Sequence, residues 1–176
     1  MTGMETTAPP AAPPPPPDPD AIARHLVDGG TFAGAVGIGE ASLEALYSVA
    51  YNQYQQARYD EALTTFRILC LSDHRQGRHW LGLGATQQRL ADYDGAVLAY
   101  SMAAEAAGSP TPEAPLRAAE CYLALGLVDE ALSGLAQAAA WAGNAADPGR
   151  VERQVEMLAG AVRRALKGVD ARDSAS

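Results

Sequence analysis

A short motif recurs three times in this chain at nearly constant spacing. Tyr59-Asp-Glu-Ala62 is followed by Tyr93-Asp-Gly-Ala96 and then by Val128-Asp-Glu-Ala131. The final alanines of the three copies lie 34 and then 35 residues apart. Repetition with such a period indicates supersecondary units that each bury an apolar face against the next unit. The chain is therefore predicted to be a linear stack of repeats.

Each repeat contains two segments with apolar residues at helical spacing, separated by a short turn. A two-helix unit of about 34 residues is typical of the tetratricopeptide repeat, or TPR. The predicted fold is all-α, with three tandem TPR helix-turn-helix repeats at residues 42–145 that form a superhelical solenoid. A capping helix is predicted at residues 146–168. The predicted repeat helices are residues 43–56 and 60–71, 77–90 and 94–107, and 113–125 and 129–141, with Ser42 as the first N-cap.

The segments outside the repeats differ from them in composition. Residues 1–18 include five successive prolines at 13–17 and are predicted to be a disordered leader. Asp18 is placed to cap a short helix at residues 19–28, which Gly29-Gly30 ends. With the glycine-rich connection that follows, this helix makes an N-terminal segment of residues 19–41. Residues 169–176 are predicted to be a disordered tail.

Three of the seven tyrosines form a stripe on the first repeat helix. Tyr47, Tyr51 and Tyr54 are spaced i, i+4, i+7 and so share one face. Alignment of the repeats fills the packing positions without these rings, which places the stripe on the concave face of the solenoid. Leu81 and Leu116 take the equivalent place in repeats two and three. The pattern favours a groove for an extended peptide with apolar anchors. The alternative is that residues 22–38 fold back and cover the rings.

Charge and hydropathy exclude several classes of partner. The formal net charge is −8 and no basic stripe is present, so nucleic acid is not expected as a direct partner. No apolar run reaches the length of a membrane span, and the N-terminus lacks the pattern of a signal peptide. The expected location is therefore the cytoplasm, without membrane insertion.

No catalytic or metal site is predicted. Cys70 and His74 supply only two metal ligands, and no third group orients them as a nucleophile pair. Cys70 and Cys121 are interpreted as reduced thiols in helices. His25 and His79 are interpreted as surface or groove-edge residues. Gly82 and Gly84 fall inside a helix, where they allow close helix packing. We predict neither cofactor nor enzymatic activity.

A second use of TPR grooves is a carboxylate clamp, in which basic and asparagine side chains bind the C-terminus of a partner. Arg78 and Arg89 are placed where they can face inward. The first repeat, however, carries tyrosines instead of the matching lysine and asparagine set. This alternative is therefore weaker than the apolar peptide groove.

The chain resembles the class II type III secretion chaperones over residues 29–143. The resemblance rests on Leu46-Tyr-Ser-Val-Ala-Tyr-Asn-Gln-Tyr54, Leu69-Cys-Leu-Ser-Asp-His74 and Trp80-Leu-Gly-Leu-Gly-Ala85. It implies a non-catalytic chaperone of the bacterial cytoplasm that protects hydrophobic translocator proteins. Such chaperones bind an N-terminal cargo segment with spaced Pro and Leu anchors. A TPR scaffold or regulatory adaptor that joins folded proteins is the alternative.

The resemblance also implies which residues contact cargo. By position, Tyr47, Tyr51, Asn52 and Tyr54 are the strongest candidates, and the weaker ones are His74, Arg78, Leu81 and Leu116. It further implies a homodimer through the N-terminal helix and the first repeat, and in some members a role in regulating secretion genes. Ala57 stands where these chaperones often have glycine in the turn.

Overall fold

The architecture is seen in a computed structural model, which describes residues 17–106 and 111–173. These ranges contain nine α-helices and no strand. The helices are α1 Pro19–Val27, α2 Phe32–Ala35, α3 Glu40–Gln55, α4 Tyr59–Ser72, α5 Gly77–Arg89, α6 Tyr93–Glu105, α7 Glu113–Ala124, α8 Val128–Trp141 and α9 Pro148–Asp173, with a turn of 3₁₀-helix at Ala142–Asn144 before α9.

The helices pack as three antiparallel pairs in the order of the chain. Helix α3 packs on α4, α5 on α6 and α7 on α8, while α4–α5 and α6–α7 contacts join successive pairs. The first helices of the pairs also touch one another, α3 with α5 and α5 with α7. These three helices therefore form one continuous wall. Helix α9 packs on α8 and covers the last pair. The predicted all-α stack of TPR pairs with a capping helix is confirmed.

The recurring alanine explains how closely the two helices of each pair approach. Each of these alanines is fully buried, and the residue four positions later is a large side chain that is also buried. A small residue lets the helix axes come together, and the larger one fills the gap one turn away. The three alanine and large-residue pairs are Ala62 with Phe66, Ala96 with Tyr100, and Ala131 with Leu135.

Aromatic rings from neighbouring helices pack against two glycines of α5. A Cβ atom on Gly82 would lie 2.2 Å from the ring of Phe66, and one on Gly84 would lie 2.8 Å from the ring of Tyr100. Both distances are too short for any real side chain. The predicted role of these glycines in close packing is thus confirmed, and the atoms that approach them are ring carbons from α4 and α6.

Helix boundaries differ from the predictions in three places. Helix α3 begins at Glu40 with Gly39 as N-cap, so Ser42 lies inside the helix and is not its cap. Glu40 places a negative charge at the helix N-terminus, which stabilises the earlier start. The connection after α1 contains the short helix α2, capped by the Thr31 hydroxyl. Helix α9 continues to Asp173, beyond the predicted end near residue 168.

The N-terminal helix α1 lies outside the repeat core. As predicted, the carboxylate of Asp18 accepts a hydrogen bond at the start of the helix, and Gly29 follows it with φ of 82°. Its contacts are mainly with α2, and it buries no residue, with Val27 86% exposed.

Most of the predicted disordered leader (residues 1–16) and the chain end (174–176) lie outside the described residues. None of the described helices has both the length and the hydropathy needed to cross a bilayer.

The turns between paired helices share one backbone conformation but differ in sequence. Gly126 has φ of 77°, while Ala57 and Ala91 occupy the same left-handed region with φ of 58° and 60°. This region costs an L-residue roughly 1–2 kcal/mol, whereas glycine enters it freely. The two alanine turns therefore hold strain that the third turn avoids.

We expect Ala57→Gly and Ala91→Gly each to raise the free energy of unfolding by about 0.5–1 kcal/mol, because relief of strain exceeds the added entropy of the unfolded chain. The two gains should add, since the turns belong to different repeats. Urea denaturation monitored by circular dichroism measures both. Gly126→Ala is the matched reversal and should lower the free energy of unfolding. A urea midpoint for Ala57→Gly below that of the unmodified protein would contradict the inference that the alanine turn is strained.

Candidate functional site

The concave wall of α3, α5 and α7 carries an open cavity of about 250 Å³. The ring stripe of α3 forms one side, and residues of α5 and α7 form the other. Phe66 and Tyr100, the rings that pack against the α5 glycines, reach the floor. The lining residues are Tyr47, Tyr51, Tyr54, Phe66, Arg78, Leu81, Gly82, Ala85, Tyr100, Glu113 and Arg117. We call this space the tyrosine cavity.

The rings of the stripe differ in how firmly they are held. Tyr47 stacks on Tyr51 with centroids 6.5 Å apart and an interplanar angle of 15°, and it meets Phe66 edge-on at 6.0 Å. Tyr54 packs edge-on against Tyr59 at 5.6 Å. Tyr47 and Tyr54 are thus part of the core of the first repeat, contrary to the expectation that packing needs none of the three rings. Tyr51 is 49% exposed and offers the free ring face.

Arg78 fixes the position of Tyr47 from the other side. Its guanidinium carbon lies 4.6 Å from the centroid of the Tyr47 ring, and its Nη2 is 2.5 Å from the Glu44 carboxylate. A partly exposed cation–π contact contributes about 0.5–1 kcal/mol, and an exposed ion pair less than about 1 kcal/mol. Burial also raises the pKa of the Tyr47 phenol, with Arg78 acting in the opposite direction. Tyr47 is therefore a neutral, well-oriented ring at neutral pH.

A polar cluster around Glu120 joins four helices beside the cavity. Arg117 donates from Nη1 to both carboxylate oxygens of Glu120, at 3.0 and 3.2 Å. Gln88 and Gln154 each donate to the same carboxylate at 3.2 Å. The phenol of Tyr100 donates to the side-chain oxygen of Gln88 at 2.9 Å. The cluster therefore ties α5, α6, α7 and α9 together at the back of the concave wall.

Five of the eight residues predicted as cargo contacts line the tyrosine cavity. They are Tyr47, Tyr51, Tyr54, Arg78 and Leu81. Asn52 and His74 are exposed and lie outside this lining. The His74 carbonyl instead accepts a hydrogen bond from the Trp80 indole at 2.8 Å. The structure thus brings five predicted residues of α3 and α5 together in one site and leaves Asn52 and His74 outside it.

Leu116 differs most from its expected place on the groove surface. Its side chain is 3% exposed and belongs to a core cluster with residues of α8 and α9, including Ala159 and Leu158. The capping helix covers the third repeat here. The apolar strip predicted along the wall therefore stops before Leu116, because the same leucine is needed to hold α9.

The N-terminal segment does not cover the stripe from within. No residue before Tyr47 lines the tyrosine cavity, and α2 makes its repeat contacts with α4. The alternative in which residues 22–38 fold over the rings is therefore not what the structure shows. The cavity is open to a ligand.

Six lining residues were not predicted as cargo contacts, namely Phe66, Gly82, Ala85, Tyr100, Glu113 and Arg117. Phe66 and Tyr100 are buried core side chains that also line the cavity. Glu113 and Arg117 follow each other at i, i+4 on α7 and so share a face. That spacing beside Leu116 is the signal that identifies them.

His79 is a buried residue, contrary to its interpretation as a surface or groove-edge side chain. It is 0% exposed, its ring centroid is 5.9 Å from that of Tyr47, and its Nδ1 lies 3.2 Å from the Asp73 carbonyl oxygen. Burial lowers its pKa, and the nearby charge of Arg78 adds to this, while the contact with Asp73 acts against it. A neutral imidazole therefore supports the Tyr47 ring from below.

The two cysteines are buried and unpaired with each other. Burial raises the pKa of Cys70 to about 12 and that of Cys121 to about 11, so neither is a thiolate at neutral pH. Among the residues that the structure describes, no three His, Cys, Asp or Glu side chains are grouped as a metal site.

Comparison with known proteins places this architecture in a family. Residues 43–74 match the tetratricopeptide repeat family. Low calcium response locus protein H of Yersinia pestis is 44% identical over 115 residues, which are 65% of this chain and 68% of that protein. The type III secretion translocator chaperone SycD of Yersinia enterocolitica, in complex with a peptide of the translocator YopD, superposes with a TM-score of 0.67 at 38% identity, covering 72% of this chain and 95% of SycD. The chain belongs to the type III secretion translocator chaperones.

Other structures of these translocator chaperones agree with this placement. PcrH of Pseudomonas aeruginosa, in complex with the chaperone binding region of PopD, superposes with a TM-score of 0.69 at 38% identity, covering 73% of this chain and 96% of PcrH. SycD has also been crystallised as an alternative dimer, with a TM-score of 0.67 and 37% identity over 72% of this chain and 95% of SycD. The resemblance stated from the sequence motifs is confirmed.

We expect this translocator chaperone to lose stability as pH falls below about 6.5, the ordinary pKa of histidine. The folded state holds His79 neutral while the unfolded chain takes up a proton, so acid favours unfolding. Urea denaturation at a series of pH values between about 7.5 and 5.5 measures the slope. His79→Phe should flatten it, and Leu98→Ala, an exposed change that leaves every histidine in place, should not. An unchanged slope in His79→Phe would refute the assignment.

Proposed function

We propose that this chain binds an extended N-terminal segment of a hydrophobic translocator protein in the tyrosine cavity and keeps that protein soluble before type III export. The observation that carries the proposal is an open concave cavity with a half-exposed ring, Tyr51, at its edge. In relatives of the same family, SycD and PcrH, crystals hold a peptide of YopD and the chaperone binding region of PopD.

The size and shape of the cavity favour an extended peptide over a folded partner. A space of about 250 Å³ accepts a few side chains, such as the Pro and Leu anchors expected of cargo, and is too small for a folded surface. A ring that a ligand covers contributes about 1–3 kcal/mol. The chaperone therefore exchanges contacts between cargo molecules for contacts with its own wall. No chemical step is required, and a scaffold for two folded proteins is less well supported.

The proposed peptide contacts follow from exposure as well as position. Tyr51 and Leu81 offer apolar surface, and Arg78 provides a cation at the rim beside them. Asn52 and His74 contact only a cargo segment that extends past the cavity. Leu116 is 3% exposed beside α9 and borders the cavity between α7 and α9, so it offers cargo little surface.

The free chaperone is proposed to be a homodimer in the bacterial cytoplasm. The alternative dimer of SycD supports self-association in a relative. In this chain α1 and α2 expose Leu26, Val27 and Phe32, which lie close together in sequence and have little cover from the repeats. Burying such side chains against a second copy is a source of dimer stability.

We expect Tyr51→Ala to weaken cargo binding by about 5- to 150-fold, because the free ring face is lost while the core contacts of Tyr47 remain. Co-purification with co-expressed translocator candidates gives the first readout, and titration with the retained segment gives the affinity. Circular dichroism and thermal unfolding should stay close to those of the unmodified chain.

Leu98→Ala is the matched control, since Leu98 is exposed on α6 and lines none of the concave cavities. It should retain cargo fully. Equal cargo yield from Tyr51→Ala and the unmodified protein would reject the tyrosine cavity as the binding site. Recovery of folded, soluble partners alone would favour the scaffold.

A further inference from the structure

Arg117 lies where three cavities of the concave wall meet. It lines the tyrosine cavity, a second space of about 470 Å³ that also borders Tyr54 and Tyr100, and a third of about 320 Å³ between α7 and α9. Among the described residues, Arg117 alone lines all three. Any segment that passes from the tyrosine cavity toward the third repeat therefore runs beside its guanidinium.

Only one edge of this guanidinium is used within the protein. Nη1 makes both bonds to Glu120, and Nη2 and Nε have no hydrogen-bond partner among the described residues. The side chain is 42% exposed and lines all three cavities, so a ligand in the groove can approach it. Glu120 is also held by Gln88 and Gln154, and it keeps two amide donors whatever Arg117 binds. Arg117 is thus anchored at one amino group and open at the other.

Besides Glu120, two carboxylates near the cavity lining are already paired with arginines. Glu113 pairs with Arg150 at 3.6 Å and Glu44 pairs with Arg78 at 2.5 Å. Arg78 is further occupied by the face of Tyr47. Arg89 borders only the second cavity, where its guanidinium lies 5.1 Å from the centroid of the Tyr59 ring. Arg117 is therefore the cation that borders all three cavities, with a pair of adjacent donors outside its bonds to Glu120. A planar guanidinium edge matches a carboxylate, which accepts two parallel hydrogen bonds from it.

We propose that Arg117 is a specificity-determining residue that binds an Asp or Glu carboxylate of the cargo segment. This rests on the proposed function, since the acidic residue belongs to the same extended segment whose apolar anchors fill the tyrosine cavity. An apolar groove alone selects for hydrophobic side chains with little regard to sequence. A fixed cation at the junction adds a requirement for one negative charge at a set distance from the anchors.

A randomised peptide display library, selected in parallel on different variants of the full-length chaperone, tests this proposal. The variants are the unmodified protein, Arg117→Gln, Tyr51→Ala and the control Arg67→Gln. Arg67 is an exposed arginine of α4 that lines none of the three cavities. The unmodified protein and Arg67→Gln should enrich Asp or Glu at one fixed spacing from an apolar anchor. Arg117→Gln should keep the anchors and lose the acidic position.

A selected peptide then provides a quantitative test. Replacing its acidic residue by the neutral amide should weaken binding to the unmodified protein about tenfold and leave binding to Arg117→Gln unchanged. Arg117→Lys should fall between them, because it keeps the charge but not the planar pair of donors. Thermal unfolding of Arg117→Gln checks that the cluster around Glu120 is intact.

The outcomes separate this proposal from the proposed function. Equal acidic enrichment with and without Arg117, no acidic enrichment at all, or an equal loss of affinity for acidic and amide peptides in Arg117→Gln would each overturn the role of Arg117. In these cases, anchors that are enriched by the unmodified protein and lost in Tyr51→Ala still support the peptide groove. If the unmodified protein selects no apolar anchors, the proposed function fails and the role of Arg117 fails with it.

Discussion

The packing of two aromatic rings against two glycines of α5 determines both the stack and its concave surface. Phe66 reaches Gly82 from α4, and Tyr100 reaches Gly84 from α6, at distances that leave no room for a side chain on α5. The Phe66 contact joins the first pair to the second, and the Tyr100 contact joins the two helices of the second pair. The same rings then form the floor of the tyrosine cavity. The shape of the binding surface is therefore a direct result of how the core is filled, since one set of atoms does both.

The sequence predicts the parts of the fold that depend on repetition. The motif ending in Ala62, Ala96 and Ala131 sets the pairing of helices, and the structure confirms it because each alanine occupies the same buried crossing. The glycines of α5 were also assigned correctly, since a mid-helix glycine that serves no phosphate motif is best explained by close packing. Local helix signals are less certain. Ser42 has the side chain of a cap, yet Gly39 ends the preceding turn and the helix starts earlier.

The candidate site was predictable where spacing along α3 or the equivalence of positions between repeats defines it, as for Leu81. The rings of Tyr47, Tyr51 and Tyr54 share a face of α3, and all three line the tyrosine cavity. Contacts between helices that are distant in sequence could not be derived in this way. His79 is buried because Tyr47 comes over it from another helix, and Leu116 is buried because α9 lies on it. The proposed role of Arg117 depends on the three cavities that meet at its side chain. Hydrophobic periodicity along one helix does not predict where such cavities lie.

The unequal support of the stripe has a consequence for how chaperones of this shape diverge. Tyr47 packs against Phe66, Arg78 and His79, so a substitution of Tyr47 alters folding together with recognition. Tyr51 stacks on Tyr47 and remains half exposed. One part of the groove is thus constrained by the stability of the protein, and the neighbouring part is free to vary. New client preferences can arise by drift at the loosely held positions while the solenoid beneath them stays the same.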